Sequence, residues 1–120
     1  MSLRKHVAAL LAAALAASAG AAAAHRPSVQ ECREAGEFIR NAALSRDAGM
    51  TREAFLDRLH GDLVAVRGHP PAMRWFVQNE DDEAFLVAAV ERVFDSPQKS
   101  SEHESEMLRG CLARLGAGMT

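Results

Sequence analysis

Apolar residues recur at helical spacing in four stretches of the chain. In the first stretch, Ser28 and Glu31 have the spacing of a capping box, and Gly49 is placed to end the helix in a left-handed conformation. Between them the apolar positions lie three or four residues apart: Val29, Cys32, Ala35, Ile39, Ala42 and Ala43. This pattern predicts an amphipathic first helix with Cys32 on its buried side.

A second helix is predicted from Thr51, as N-cap, to Gly68, where the following prolines, Pro70 and Pro71, prevent continuation. Arg58 and Asp62 are expected to form an exposed ion pair on this helix. Its apolar side consists of Phe55, Leu56, Leu59, Leu63 and Val66. A short apolar segment then runs over residues 72–77, and we expect one or two helical turns beginning at Pro71.

Two further helices complete the pattern. The third opens with Asn79 and an acidic run at residues 80–83, and Pro97 stops it. The fourth is expected to start at Ser101, which forms a second capping box with Glu104. Its buried side is Met107, Leu108, Cys111, Leu112 and Leu115. With neither strand-like alternation nor internal repeats, the sequence predicts a small all-α bundle of four main helices plus one short helix.

The amino-terminal segment has a different composition. Arg4 and Lys5 precede an apolar run at residues 7–17, and Ala22-Ala23-Ala24 precedes His25. These features are typical of a secretory signal peptide cleaved after Ala24, which leaves a single domain at residues 25–120 in the periplasm or outside the cell. A retained membrane anchor is the alternative, but much of the segment is alanine, which favours cleavage and no membrane span afterwards.

Export changes how the two cysteines are interpreted. In an oxidising compartment Cys32 and Cys111 have one intramolecular pairing, which would link the first helix to the last across 79 residues. The chain-entropy model gives about 4–5 kcal/mol of stabilisation for so long a loop. We therefore predict a structural disulfide rather than a pair of reactive thiols.

Charge excludes one class of partner. Without Arg4 and Lys5 the chain keeps 12 basic residues against 16 acidic ones, a net charge of −4 with histidine neutral. Nucleic-acid binding requires a basic surface, so we expect no nucleic-acid partner.

Candidate metal ligands are scattered. After cleavage His25 would carry a free α-amine beside its imidazole, a pair of nitrogen donors that suits copper or nickel. The remaining histidines of the domain show no metal-ligand spacing, and His103 is expected in an exposed first helical turn. The acidic run at residues 79–83 lacks the glycine and glutamate of an EF-hand loop, which favours a helix start over a cation site.

Met73, Trp75 and Phe76 form the best candidate for a partner surface. Tryptophan and methionine are enriched where proteins bind one another, and Pro70 and Pro71 could present this segment rigidly. The alternative is that the segment closes one end of the bundle, because the chain has only six aromatic residues for its core.

No motif for catalysis, phosphate binding or haem attachment occurs in the chain. We therefore expect no enzyme activity and no cofactor. The first hypothesis is a small exported protein that binds another protein, as a chaperone, inhibitor, immunity protein or adaptor does, with an oligomeric state that the sequence leaves open. The alternative is copper or other metal handling through His25.

Overall fold

The computed structural model describes residues 27–117, and within them it contains four α-helices, one short 3-10 helix and no strand. The predicted all-α fold is therefore confirmed. The predicted signal peptide and His25 lie outside the described residues. The helices are α1 (Val29–Asp47), α2 (Arg52–Arg67), α3 (Glu80–Asp95) and α4 (Ser100–Ala117), with the 3-10 helix Pro71–Met73 between α2 and α3.

The ends of the first three α-helices follow the sequence signals. The Ser28 hydroxyl accepts a hydrogen bond from the Glu31 amide, and the Glu31 carboxylate accepts one from the Ser28 amide, so the first capping box is formed. Thr51 and Asn79 cap α2 and α3 with their side chains. Gly49 follows α1 with φ 101°, the left-handed conformation that favours glycine.

The start of α4 differs from the prediction. The helix begins at Ser100, so Ser101 is its second residue and cannot be its N-cap. The amides of Glu102 and His103 both donate to the Lys99 carbonyl, which shows that the first turn is already wound from Lys99 onward. The predicted second capping box is therefore wrong, because the N-cap position is Lys99, two residues before Ser101.

The helices run alternately up and down, and α1 packs most extensively against the antiparallel α4. A disulfide joins Cys32 of α1 to Cys111 of α4, and both cysteines are fully buried. Gly36 lets the two helices approach closely, because a Cβ at this position would lie 3.4 Å from the Glu104 side chain. The predicted link between the first and last helices is confirmed.

All four helices and the α2–α3 connection contribute to the core, and α2 packs mainly against α3. The largest fully buried side chains are Phe76, Ile39, Leu86, Val90, Val93 and the two cysteines.

His103 also belongs to this interior. Its side chain is buried rather than exposed as expected, and its Nε2 lies 3.3 Å from the Ser96 carbonyl oxygen. His103 lies on the same side of α4 as the buried Met107 and Cys111, at spacings of four residues, which accounts for the difference.

Arg46 ties the end of α1 to the end of α3. Its guanidinium donates to the carbonyl oxygens of Val93, Ser96 and Gln98 at 2.6–2.9 Å, and its Nε donates to Asp47. Val93 lies in the last turn of α3, and Ser96 and Gln98 follow the helix, so a continuing helix cannot supply donors to their carbonyls. One side chain therefore caps α3 and fixes the α3–α4 connection against α1.

Candidate functional site

The candidate site is a groove between α1 and α2, next to the connection that joins them. Both helices contribute over about two turns, a length of about 10 Å. The groove has a volume of about 260 Å³. Its apolar floor comes from Phe38, Met50, Phe55 and Leu59, and its rim from Asn41, Ser45, Arg58 and Asp62.

The two rings of the groove floor, Phe38 and Phe55, belong to a continuous row of aromatic rings. Ring centroids are 5.5 Å apart from Phe94 to Phe55, 6.1 Å from Phe55 to Phe38 and 6.1 Å from Phe38 to Trp75. The row ends at Phe76, 4.3 Å from Trp75. All of these rings except Phe76 are only partly buried. Aromatic area that is held rigidly and left partly open is well suited to packing against an apolar group.

The groove lies where α1 and α2 are not packed closely against each other. α2 packs mainly against α3, so the sides of α1 and α2 that face each other are separated by their own side chains rather than closely packed. On α1 the lining residues Phe38, Asn41 and Ser45 share one side, at spacings of three and four residues. On α2 Phe55, Arg58 and Asp62 do the same.

The three residues predicted as a partner surface have different environments. Met73 is 69% exposed, Trp75 is partly buried and Phe76 is only 1% exposed, within the core. Phe76 therefore belongs to the core, as the alternative interpretation of this segment predicted, whereas Met73 does not. Because the Trp75 ring contacts Phe38, this segment also borders the groove.

Trp75 has an unusual backbone. Its φ of 58° is left-handed, a conformation that costs a residue other than glycine about 1–2 kcal/mol. The Gln78 side chain holds this turn in place, because its Nε2 donates to the carbonyl oxygens of Pro71 and Trp75 at 2.8 Å each. The indole N–H is buried and has no acceptor among the described residues. The position of the ring against Phe38 is therefore imposed by the tertiary structure.

Two of the acidic side chains at the start of α3 pair with arginines of other helices. The buried Asp82 pairs with Arg114 of α4 and also accepts a hydrogen bond from the backbone N–H of Gln78 at 2.9 Å. Arg67 of α2 forms two hydrogen bonds to Glu83, and these bonds hold the pKa of Glu83 below its ordinary value. These two carboxylates join helices, in agreement with the interpretation of the run as a helix start.

The remaining histidines do not converge. His60 and His69 are exposed on different segments, and His103 is buried in the core. Among residues 27–117 no group of three or more histidine, cysteine or acidic side chains could hold a metal ion. His25 cannot be placed, because it lies outside the described residues.

Sequence reasoning missed the groove itself. Phe38 lies beside the periodic apolar positions of α1 and not among them, and Asn41 and Ser45 carry no motif. The usable signal was their spacing from Phe38, three and seven residues, which places all three on one side of the helix. That this side faces α2 across a gap depends on helix placement and has no local signature.

None of the helices within the described part of the chain is long and apolar enough to cross a membrane. Comparison of the chain with models of known protein families, with curated proteins and with solved structures finds no match.

Proposed function

We propose that this protein is a small exported interaction module, without catalytic activity, that holds an apolar side chain of another polypeptide in the groove between α1 and α2. The observation that carries this proposal is the partly exposed pair of rings, Phe38 and Phe55, on the groove floor. The volume of the groove, about 260 Å³, is smaller than the ~300–1,000 Å³ typical of small-molecule sites, which favours a single large side chain as its occupant.

The rim and the net charge indicate the chemistry of the partner. Asn41 and Ser45 can hydrogen-bond the backbone of a bound segment, since side-chain amides and hydroxyls both donate and accept. The net charge of −4 on residues 25–120 attracts cationic segments and repels acidic ones. The partner is therefore a polypeptide segment with a large apolar side chain flanked by lysine or arginine.

Two features support export of the protein to the periplasm or beyond. Residues 1–24 have the composition and cleavage-site pattern of a signal peptide. The fully buried Cys32–Cys111 disulfide is of the kind that persists in oxidising compartments. Copper handling through His25 stays an alternative prediction.

The groove can be blocked without removing any core side chain. Asn41 is exposed on the rim, so Asn41→Trp should fill the groove, whereas the matched control Asn41→Ala leaves it open. The probe is a short synthetic peptide with one tryptophan flanked by lysines. The control peptide has glutamates in place of the lysines. Binding is measured by fluorescence anisotropy, after circular dichroism has shown that both variants are folded.

We expect the lysine-flanked peptide to bind the wild type and Asn41→Ala, and Asn41→Trp to raise its Kd at least tenfold. The glutamate-flanked peptide should bind much more weakly. The proposal is refuted if the lysine-flanked peptide does not bind the wild type, or if it binds Asn41→Trp equally well.

A further inference from the structure

The rim of the groove between α1 and α2 carries one cationic and one anionic side chain, Arg58 and Asp62. Both are exposed, and the ion pair that the sequence predicted between them is not formed. An arginine four residues before an aspartate is the less favourable order of such a pair, because it runs against the helix dipole. Neither side chain has another ion-pair partner among the described residues, so both charges are available to a molecule bound in the groove.

The two charges lie at different distances from the connection that joins the helices. α1 ends at Asp47 and α2 begins at Arg52, and the connection between them contributes Met50 to the lining of the groove. The connection therefore closes the groove at this end. Arg58 lies nearer to the closed end, and Asp62 lies one helical turn, about 6 Å, farther from it.

These positions refine the partner that the proposed function describes. A segment with lysines on both flanks of its apolar anchor satisfies Asp62 but also places a cation beside Arg58. A segment that fits both charges has a carboxylate at Arg58 and a cation at Asp62. A guanidinium is well suited to the first of these contacts, because it binds a carboxylate through two parallel hydrogen bonds.

A carboxyl terminus meets both requirements. It supplies a carboxylate on the anchor residue itself, and the chain stops before it reaches the connection that closes the groove. In an extended segment, the residue two positions before the anchor lies about 6–7 Å away and points to the same side. This separation matches the one helical turn between Arg58 and Asp62.

We propose, building on the proposed function, that the groove binds the carboxyl terminus of a polypeptide whose last residue is large and apolar. The terminal side chain packs on Phe38 and Phe55 of the floor. Arg58 binds the terminal carboxylate, and Asp62 binds a lysine or arginine two positions earlier. The charged rim therefore selects the end of a chain and the direction in which it lies along α2.

The test uses the purified protein with its disulfide formed and fluorescent peptides based on one that ends in lysine, alanine and tryptophan. This peptide has a free carboxyl terminus, a second has the same sequence with an amidated terminus, and a third has alanine in place of the lysine. Fluorescence anisotropy gives their Kd for the wild type, Arg58→Gln and Asp62→Asn. Arg40→Gln and Asp57→Asn are the matched controls, because both residues are exposed outside the groove lining and their replacement changes the net charge in the same way.

We expect the free terminus to bind the wild type about tenfold more tightly than the amidated one, which is the scale of a charge-assisted hydrogen bond. Arg58→Gln should abolish this difference, and Arg40→Gln should preserve it. Asp62→Asn should abolish the preference for lysine over alanine, and Asp57→Asn should preserve it. Added salt should reduce both preferences.

Equal binding of the free and amidated peptides by the wild type would overturn this proposal. The same conclusion follows if Arg58→Gln weakens both peptides equally, or if Asp62→Asn leaves the preference for lysine unchanged. The proposed function would survive these results if the amidated peptide bound the wild type and not Asn41→Trp, because the groove would then hold an apolar side chain without recognising the chain end. If none of the peptides bound, both proposals would fail.

Discussion

Gly49 and Gly61 differ in whether the fold requires a glycine at that position. Gly49 ends α1 with φ 101°, where any side chain would be strained. Gly61 lies inside α2 with open space at its Cβ position, so its lack of a side chain serves no packing purpose within the domain. In an isolated domain Gly61 therefore only lowers helix propensity, whereas Gly49 makes the turn possible.

This contrast predicts stability changes of opposite sign. Gly49→Ala should lower the free energy of unfolding by about 1–2 kcal/mol, because alanine is strained in the left-handed region. Gly61→Ala should raise it by about 0.5–1 kcal/mol through better helix propensity. Urea denaturation measures both free energies. Two changes of the same sign would contradict this account.

At the residue scale the sequence predicted conformation better than burial. The left-handed Gly49 followed from its place after a helix, whereas His103 was expected in solvent and is buried. A signal was present, because His103, Met107 and Cys111 are four residues apart on one side of α4. It was outweighed by the expectation that polar residues in a first helical turn face water.

At the scale of the helices, Arg46 makes the main polar connection between α1 and the end of α3. It is largely buried, and its guanidinium satisfies three carbonyl oxygens at and beyond the end of α3. No other single side chain in the described residues bonds so many main-chain acceptors of another segment. The relative position of α1 and the α3–α4 connection therefore depends on one guanidinium.

Replacing this arginine should be costly. Arg46→Met keeps most of the apolar stem but leaves three partly buried carbonyls without their donor, which we expect to lower the free energy of unfolding by about 2–4 kcal/mol. Arg40→Met is the matched control on the same helix, because Arg40 is exposed, and it should change stability by less than about 0.5 kcal/mol. If Arg46→Met and Arg40→Met changed the free energy of unfolding equally in urea denaturation, the three hydrogen bonds would contribute nothing to stability.

At the scale of the whole molecule, the disulfide joins the helix pair that packs most extensively. Cys32 and Cys111 lie near the two ends of the folded chain, so their bond restricts almost all of the unfolded domain. A domain of this size has a modest core, and such a restriction then forms a large part of its net stability.

Loss of the bond should lower the melting temperature strongly. For Cys32→Ala/Cys111→Ala we expect a decrease of about 15 °C or more in scanning calorimetry, from the loop-closure entropy and the size of the domain. Wild-type protein that has been reduced while unfolded and then refolded with its thiols blocked from pairing should behave like the double variant. If oxidised and reduced proteins melted together, the disulfide would have no stabilising role.

The sequence by itself determined the four helices, most of their ends and the pairing of Cys32 with Cys111. These features follow from local capping chemistry, from the periodicity of apolar residues and from the presence of only two cysteines. Only the tertiary structure decided that Phe38 and Phe55 stay partly open, that His103 is buried and that Arg46 reaches α3. The physical reason is that periodicity identifies the inward side of a helix but contains no information on which neighbour covers it, or on where two helices are packed loosely enough to leave a groove.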